Sequence, residues 1–248
     1  MRWLSVLSIV VGIIIWFAAS TIPAVNAIVS DPLTIAKALV SEWEKGYLSQ
    51  HIFISVWRVI AGFTLALLAA LPIAFLIGWY KSVRLLLEPW IQFFRTIPPI
   101  ALIPLVIVAQ GVGEQAKITV IFVSSFLVMV VTIFQGVSNV DMTMIKAARV
   151  LGAKDHQLFL EVVVPASFPY ILVAMRLGLA SAWTTLVAAE LTGASRGLGT
   201  MIMEASLYFR MDIVVAGILL IGMIGLLMDR ALLYVERRLT GWQEVHKS

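Results

Sequence analysis

The chain has 248 residues, of which 61% are hydrophobic and 13% charged, with a mean hydropathy of +1.00 and a formal charge of +4. Soluble domains are nearer half apolar and a quarter charged, so this composition excludes a soluble globular protein and indicates an integral membrane protein. The absence of cysteine excludes disulfides and thiolate chemistry. The dispersed basic residues do not suggest nucleic-acid binding.

Apolar runs follow one another along the chain and predict six membrane-spanning helices. A helical span needs about 20 apolar residues, and an open sheet cannot satisfy its backbone groups in lipid. The runs are Trp3–Ser30, Val59–Tyr80, Thr96–Gly113, Ile118–Val140, Val162–Met175 with its continuation Leu177–Ala189, and Ile213–Met228. We therefore predict an all-α membrane protein that forms a single domain over residues 1–248.

Two of these runs have an alternative interpretation. The first also fits a signal peptide, with Arg2, the apolar stretch Leu4–Ala19 and the small residues around Ala27, but we interpret it as an uncleaved first span. The third contains Pro98, Pro99 and Pro104, which should kink it or delay its start because proline cannot donate a backbone hydrogen bond.

The distribution of Lys and Arg predicts the orientation in the membrane, since short cytoplasmic segments carry an excess of these residues. The terminal segments and the connections after spans two and four hold more Lys and Arg than the other connections. We therefore expect both termini in the cytoplasm, together with the connection between spans four and five, residues 141–165.

That connection contains small residues at a helical spacing. Ala148 and Gly152 are four apart and would share a helix face, where another backbone can approach closely. Leu151, Leu158 and Phe159 supply apolar neighbours. The pattern favours a docking surface for another protein, and an amphipathic connector lying on the lipid is the alternative.

The segment Met144–Tyr170 resembles the cytoplasmic coupling loop of ABC-transporter permease subunits that work with substrate-binding proteins. That loop contains Glu-Ala-Ala, a Gly after three further residues, and Ile-x-Leu-Pro after nine more. This chain has Lys146-Ala147-Ala148, Gly152 and Val162-Val163-Val164-Pro165 at the same spacing. Lys146 reverses the charge of the family's Glu, so a salt bridge made there by relatives is not expected here.

Two further segments extend the resemblance. Phe94–Ile118 and Met175–Ile202 are similar to permeases of the sulfonate, taurine and nitrate subfamily, and the likeness covers most of the chain from Arg58 to Trp242. It implies an importer permease in the bacterial inner membrane, for a small anionic solute of the alkanesulfonate, taurine or nitrate type.

The resemblance also implies the partners. A second copy of the chain, two cytoplasmic ABC ATPases and an extracytoplasmic binding protein would complete the transporter within the lipid bilayer. No Gly-x-x-x-x-Gly-Lys-Ser/Thr occurs in this chain, so ATP and Mg²⁺ are expected on the ATPase. No nucleophile–base set is evident either, and we expect neither an enzyme nor a cofactor or metal site in this chain.

In such a permease the coupling loop would pack into a groove on the ATPase. The resemblance places Ala147, Ala148, Gly152 and Ala153 at this contact. Leu151 and Leu158 would add apolar contact, and Pro165 would be the hinge into the fifth span.

Polar residues at membrane depth are candidates for the translocation pathway. Arg176 interrupts a long apolar run and could face an anion, or serve as a structural arginine bonded to a neighbouring span. Other residues, after Arg176 and at the start of the third run, are able to bond a solute or form a gate, although an interfacial ion pair or a static kink would explain them equally well. These candidates are Thr184, Thr185, Glu190, Thr192, Arg196, Pro98 and Pro99.

Two other functions are weighed against the ATP-driven permease. A secondary transporter or channel would need no ATPase, but the spacing of the coupling loop argues against it. An intramembrane enzyme is disfavoured by the missing nucleophile and metal sets.

Overall fold

The computed structural model describes residues 2–239, which form helices joined by short connections and include no strand. Met1 and residues 240–248, at the two ends of the predicted single domain, lie outside the described residues. The helices are α1 Arg2–Ala19, α2 Pro23–Asn26, α3 Pro32–Glu44, α4 Tyr47–Trp79, α5 Lys81–Thr96, α6 Ile103–Gln110, α7 Glu114–Ser138, α8 Met142–Val150, α9 Asp155–Gln157, α10 Val164–Leu191, α11 Leu198–Leu207 and α12 Met211–Leu239.

Four helical segments are long and apolar enough to cross a membrane. They are α4, α7, the continuous stretch Asp155–Leu191 that contains α10, and Met211–Arg238 of α12. A fifth candidate arises if α5 and the helices of Pro99–Gln110 count as one broken span. The all-helical membrane fold is thus confirmed, whereas the number of six spans stays a prediction, because the apolar helix Val6–Ala19 of α1 is shorter.

The third apolar run is the clearest departure from a straight span. The helix α5 ends at Thr96, a 3₁₀ turn covers Pro99–Leu102, and α6 adds only 8 residues. The two arms are bent by 91°. Prolines 98 and 99 explain the break, since each lacks a backbone N–H and the residue before a proline avoids the helical region.

Within the described residues the chain divides into two compact units. The first combines residues up to 56 with 190–224, and the second combines 57–189 with residues from 225 onward. In the second unit, Ala66, Ala70 and Ala74 are spaced four apart on α4 and are 0% exposed. Their cluster includes Met129 of α7 and Ala174 of α10, because small side chains on one helix face let neighbouring helices approach closely.

Candidate functional site

The connection after α7 begins with the short helix α8, which has a defined start. Asp141 Oδ1 accepts a hydrogen bond from the backbone N–H of Thr143 at 2.7 Å, and this bond lowers the pKa of the Asp141 carboxyl below its usual value. A carboxylate there pairs a backbone donor that the helix leaves open and interacts favourably with the helix dipole.

The end of α8 is fixed by Gly152. Its φ is 87°, a left-handed conformation that glycine adopts without the steric cost of a side chain. Its N–H donates to the Arg149 carbonyl at 3.0 Å, and the Ala153 N–H donates to the Ala148 carbonyl at 3.1 Å. These two bonds are the Schellman arrangement, which satisfies the last carbonyls of a helix and reverses the chain.

The reversal leaves an apolar tip exposed. Val150 and Leu151 are 88% and 87% exposed, while Ala147 and Gly152 are exposed beside them. Ala148 and Ala153 are half-buried. The structure therefore brings the predicted small residues and Leu151 to one protruding turn.

Leu158 and Pro165 lie differently from the tip. Leu158 is 0% exposed, so its side chain supports the segment from inside instead of offering contact surface. The neighbouring Phe159 packs edge-on against Phe75 and Trp79, with ring centroids 5.6 and 5.5 Å away. Pro165 is exposed near the start of α10, directly after a π-helical turn at Leu158–Val163.

A second cluster surrounds Glu190 in the first unit. The Glu190 carboxylate is 1% exposed and accepts hydrogen bonds from the Ser55 hydroxyl at 2.7 Å and the Gly199 N–H at 2.8 Å. The Ser55 hydroxyl in turn accepts the Leu198 N–H at 2.9 Å. Both carboxylate oxygens are therefore used to hold the chain that follows α10.

The same turn is held by His51 and Gly197. The Gly197 N–H donates to His51 Nδ1 at 2.9 Å. Gly197 has φ 144°, and a Cβ at this position would overlap the Glu190 carboxylate. We call His51, Ser55, Glu190 and residues 197–199 the Glu190 cluster. Thr192 and Arg196, also predicted for the pathway, are exposed in the loop that it closes.

Arg176 has a partner that the sequence did not reveal. Its Nε donates to Asp229 Oδ1 at 2.8 Å and its terminal nitrogen to Asp229 Oδ2 at 3.2 Å. The two side chains are 41% and 32% exposed. This paired geometry ties α10 to α12 within the second unit and matches the structural arginine that the sequence left open as an alternative.

The remaining pathway candidates are scattered. Thr184 is exposed and donates to the Ala180 carbonyl at 3.1 Å, whereas Thr185 is buried. Pro98 is exposed and Pro99 half-buried at the bend between α5 and α6. Their role in a pathway stays a prediction.

Sequence reasoning missed a charged cluster in the second unit, in which two buried cations face a partly exposed carboxylate. The Arg58 guanidinium donates from Nε and a terminal nitrogen to the Glu114 carboxylate at 2.5 and 2.6 Å. Lys117 Nζ donates to Glu114 Oε1 at 3.3 Å. We call these residues the Arg58 cluster. The sequence placed Arg58 in a connection, although its apolar neighbours on both sides already allowed a helix through it.

No group of three or more His, Cys, Asp or Glu side chains within residues 2–239 is arranged to hold a metal ion. The clusters described above are hydrogen-bonding and ionic sites.

Comparisons with known proteins agree on one family. Residues 62–241 match the family described as binding-protein-dependent transport system inner membrane component. A probable ABC transporter permease protein of Brucella abortus is 49% identical over 97% of this chain and 96% of its own length. The taurine transport system permease protein TauC of Escherichia coli is 34% identical over 96% and 89%. The nitrate import permease protein NrtB of Synechocystis is 32% identical over 78% and 70%.

A solved structure shows the same fold. A chain of an amino acid ABC transporter, crystallised with histidines, superposes with a TM-score of 0.67 at 19% identity and covers 81% of this chain and 97% of that chain.

Proposed function

This chain belongs to the family of binding-protein-dependent transport system inner membrane components, and we propose that it is driven by a separate ABC ATPase that docks on the α8 turn. One observation carries the proposal. The apolar residues Val150 and Leu151 are exposed at the end of a helix whose two ends are both capped. Exposed apolar side chains on a rigid turn are costly unless another protein covers them.

The contact with the ATPase is made by those of the predicted coupling residues that are exposed. Ala147 and Gly152 leave space for a neighbouring backbone, while Leu151 provides apolar area. Leu158, buried beneath the turn, positions it. Lys146 is exposed on α8, where relatives are expected to carry a carboxylate, so the facing surface of this ATPase should be acidic or neutral.

The transporter is assembled from two copies of this chain, two ATPases that bind ATP and Mg²⁺, and an extracytoplasmic binding protein. The chain itself catalyses no reaction. Both termini and the α8 turn lie in the cytoplasm, as the Lys and Arg distribution predicts.

An open cavity in the first unit suits contact with the binding protein. It has a volume of about 470 Å³, and its lining combines the polar side chains of Glu42, His51, Glu204 and Arg210 with apolar ones such as Met201. The pair of Arg210 and Asp212 beside it is close, with Nε donating to Oδ1 at 3.0 Å, and this pairing raises the pKa of Arg210. Charged side chains at the edge of a surface favour polar, reversible contacts with another protein.

The transported solute is small and anionic, of the alkanesulfonate, taurine or nitrate type. The relatives named for taurine and nitrate have similar identities to this chain, 34% and 32%. Identity alone therefore does not choose among these solutes.

Copurification tests the proposal. The chain, extracted from its native membrane in mild detergent, should carry a stoichiometric second chain that contains a Walker A motif and hydrolyses ATP. Solute uptake into vesicles should then require ATP and the binding protein. A chain that purifies alone and supports uptake from an ion gradient without ATP would instead be a secondary transporter.

A further inference from the structure

The Arg58 cluster has the chemistry of an anion site. Arg58 presents two parallel N–H donors to the two oxygens of Glu114, at 2.5 and 2.6 Å. This forked geometry is the one by which guanidinium recognises any planar or tetrahedral oxyanion, whether it belongs to the protein or to a ligand.

The second cation of the cluster is incompletely bonded. The Lys117 side chain is 7% exposed, and among the described residues its ammonium group makes one long contact, 3.3 Å, to the Glu114 oxygen that also accepts from Arg58. An ammonium group has three donors, and a buried charge is costly unless it is well paired. Lys117 therefore retains hydrogen-bonding capacity that Glu114 alone does not fill.

The carboxylate, unlike the cations, is exposed. The Glu114 side chain is 48% exposed, whereas the Arg58 side chain is 1% exposed. Glu114 is also the first residue of α7, after Gly113, so its side chain can rotate outward without unwinding a helical turn. The anion in this cluster is thus the exchangeable member, and the cations are fixed.

We propose that Arg58 and Lys117 form an anion-binding site that Glu114 occupies in this structure, and that the anionic solute displaces Glu114 as it passes. This proposal rests on the anionic solute of the proposed function. It adds the residues that select charge: a sulfonate or nitrate oxygen replaces the Glu114 carboxylate on Arg58, and another oxygen supplies the shorter bond that Lys117 lacks.

Binding to the purified full chain, without ATPase, tests the site. Methanesulfonate and nitrate are titrated at constant ionic strength, with gluconate as the balancing anion, and the shift of the melting temperature gives the dissociation constant. Glu114→Gln removes the internal competitor, so we expect binding about tenfold tighter than in the unaltered chain, which corresponds to ~1.4 kcal/mol. The double variant Glu114→Gln with Lys117→Met should lose this gain.

Controls separate site binding from a general charge effect. Glu44→Gln removes an exposed carboxylate of α3 and should leave anion binding unchanged. If Glu114→Gln does not yield folded protein, Glu114→Asp retracts the carboxylate but keeps its charge, and it should give a smaller gain that Lys117→Met again abolishes.

Equal affinity in the Glu114 variants and the unaltered chain, or a gain that survives Lys117→Met, would overturn the anion site. Because this assay needs no ATPase, such a result would leave the permease function standing if the ATPase copurifies. A chain that binds anions in the titration but purifies without an ATPase would leave the anion site standing and contradict the ATP-driven permease.

Discussion

The turns at Gly152 and Gly197 are each closed by a glycine of positive φ, and they differ in what surrounds that glycine. Gly152 ends α8 with φ 87°, and a Cβ added there would meet no atom of the described residues within 4 Å. Gly197, with φ 144°, packs directly against the Glu190 carboxylate. One turn is open to a partner, and the other is filled by the chain itself.

The difference shows two distinct uses of glycine. At Gly152 the backbone needs only a conformation that L-residues avoid, which costs another residue about 1–2 kcal/mol. At Gly197 it needs both the conformation and the empty space. The turn after α8 therefore has open space around its glycine, as the proposed ATPase contact requires, whereas the turn before α11 is held by intramolecular hydrogen bonds.

The largest effect is expected from Gly197→Ala. The backbone conformation alone costs about 1–3 kcal/mol for a non-glycine residue, and overpacking against Glu190 adds ~1–3 kcal/mol. The melting temperature and folded yield in detergent should fall sharply. Gly46→Ala is the matched control, because Gly46 also has positive φ, 75°, but a Cβ there would meet no described atom within 4 Å. Equal losses in both variants would show that space at Gly197 is unimportant.

Glu190→Gln should have the next largest effect on stability. An amide offers one acceptor oxygen where the carboxylate offers two, so the Ser55 hydroxyl or the Gly199 N–H loses its partner, at about 1–3 kcal/mol. Thermal unfolding measures the loss, and Glu204→Gln, an exposed carboxylate of α11, should be neutral. A neutral Glu190→Gln would mean that the charge on Glu190 is not needed by the cluster.

Gly152→Glu should affect coupling more than folding. The strain is about 1–2 kcal/mol, but a charged side chain at the exposed turn should abolish solute-stimulated ATPase activity in the assembled transporter. Gly152→Ala carries the same strain without the charge and should keep most of that activity. Full activity in Gly152→Glu would place the ATPase contact elsewhere.

The smallest effect concerns the start of α8. The pKa of Asp141 is lowered in the folded chain by the Thr143 bonds, so the carboxylate stabilises α8 fully above the ordinary pKa of aspartate. That stabilisation is lost as the pH falls through the lowered folded pKa. Hydrogen exchange of the Thr143 amide should accelerate over this range beyond its intrinsic pH dependence. Asp141→Asn keeps a capping side chain without a titrating group and should remove that excess.

The α8 turn could be predicted from the sequence only in part. A short helix was expected here, and α8 is one, but Gly152, which was expected to share a helix face with Ala148, lies beyond the end of α8 and reverses the chain with φ 87°. The burial of Leu158 could not be predicted from local pattern, and neither could the packing of the neighbouring Phe159 against Phe75 and Trp79, which are distant in sequence.

The same limit applies to the charged residues. The sequence identified Arg176 as unusual because it interrupts an apolar run. Its partner Asp229 is 53 residues away, so only the folded structure shows that the two side chains pair. Arg58 and Glu114 were not singled out, since each stands near the edge of an apolar run where a charge is unremarkable.

Composition and apolar runs along the chain were enough to predict an all-helical membrane protein, and the resemblance of its motifs to those of known permeases indicated its family. The membrane fold follows from hydropathy, which acts over short distances along the chain. Helix packing, in contrast, selects which polar groups are paired: Glu190 with Ser55, Arg176 with Asp229, and Arg58 with Glu114. The partners in these three pairs are 53 to 135 residues apart along the chain, so only the folded structure brings them together.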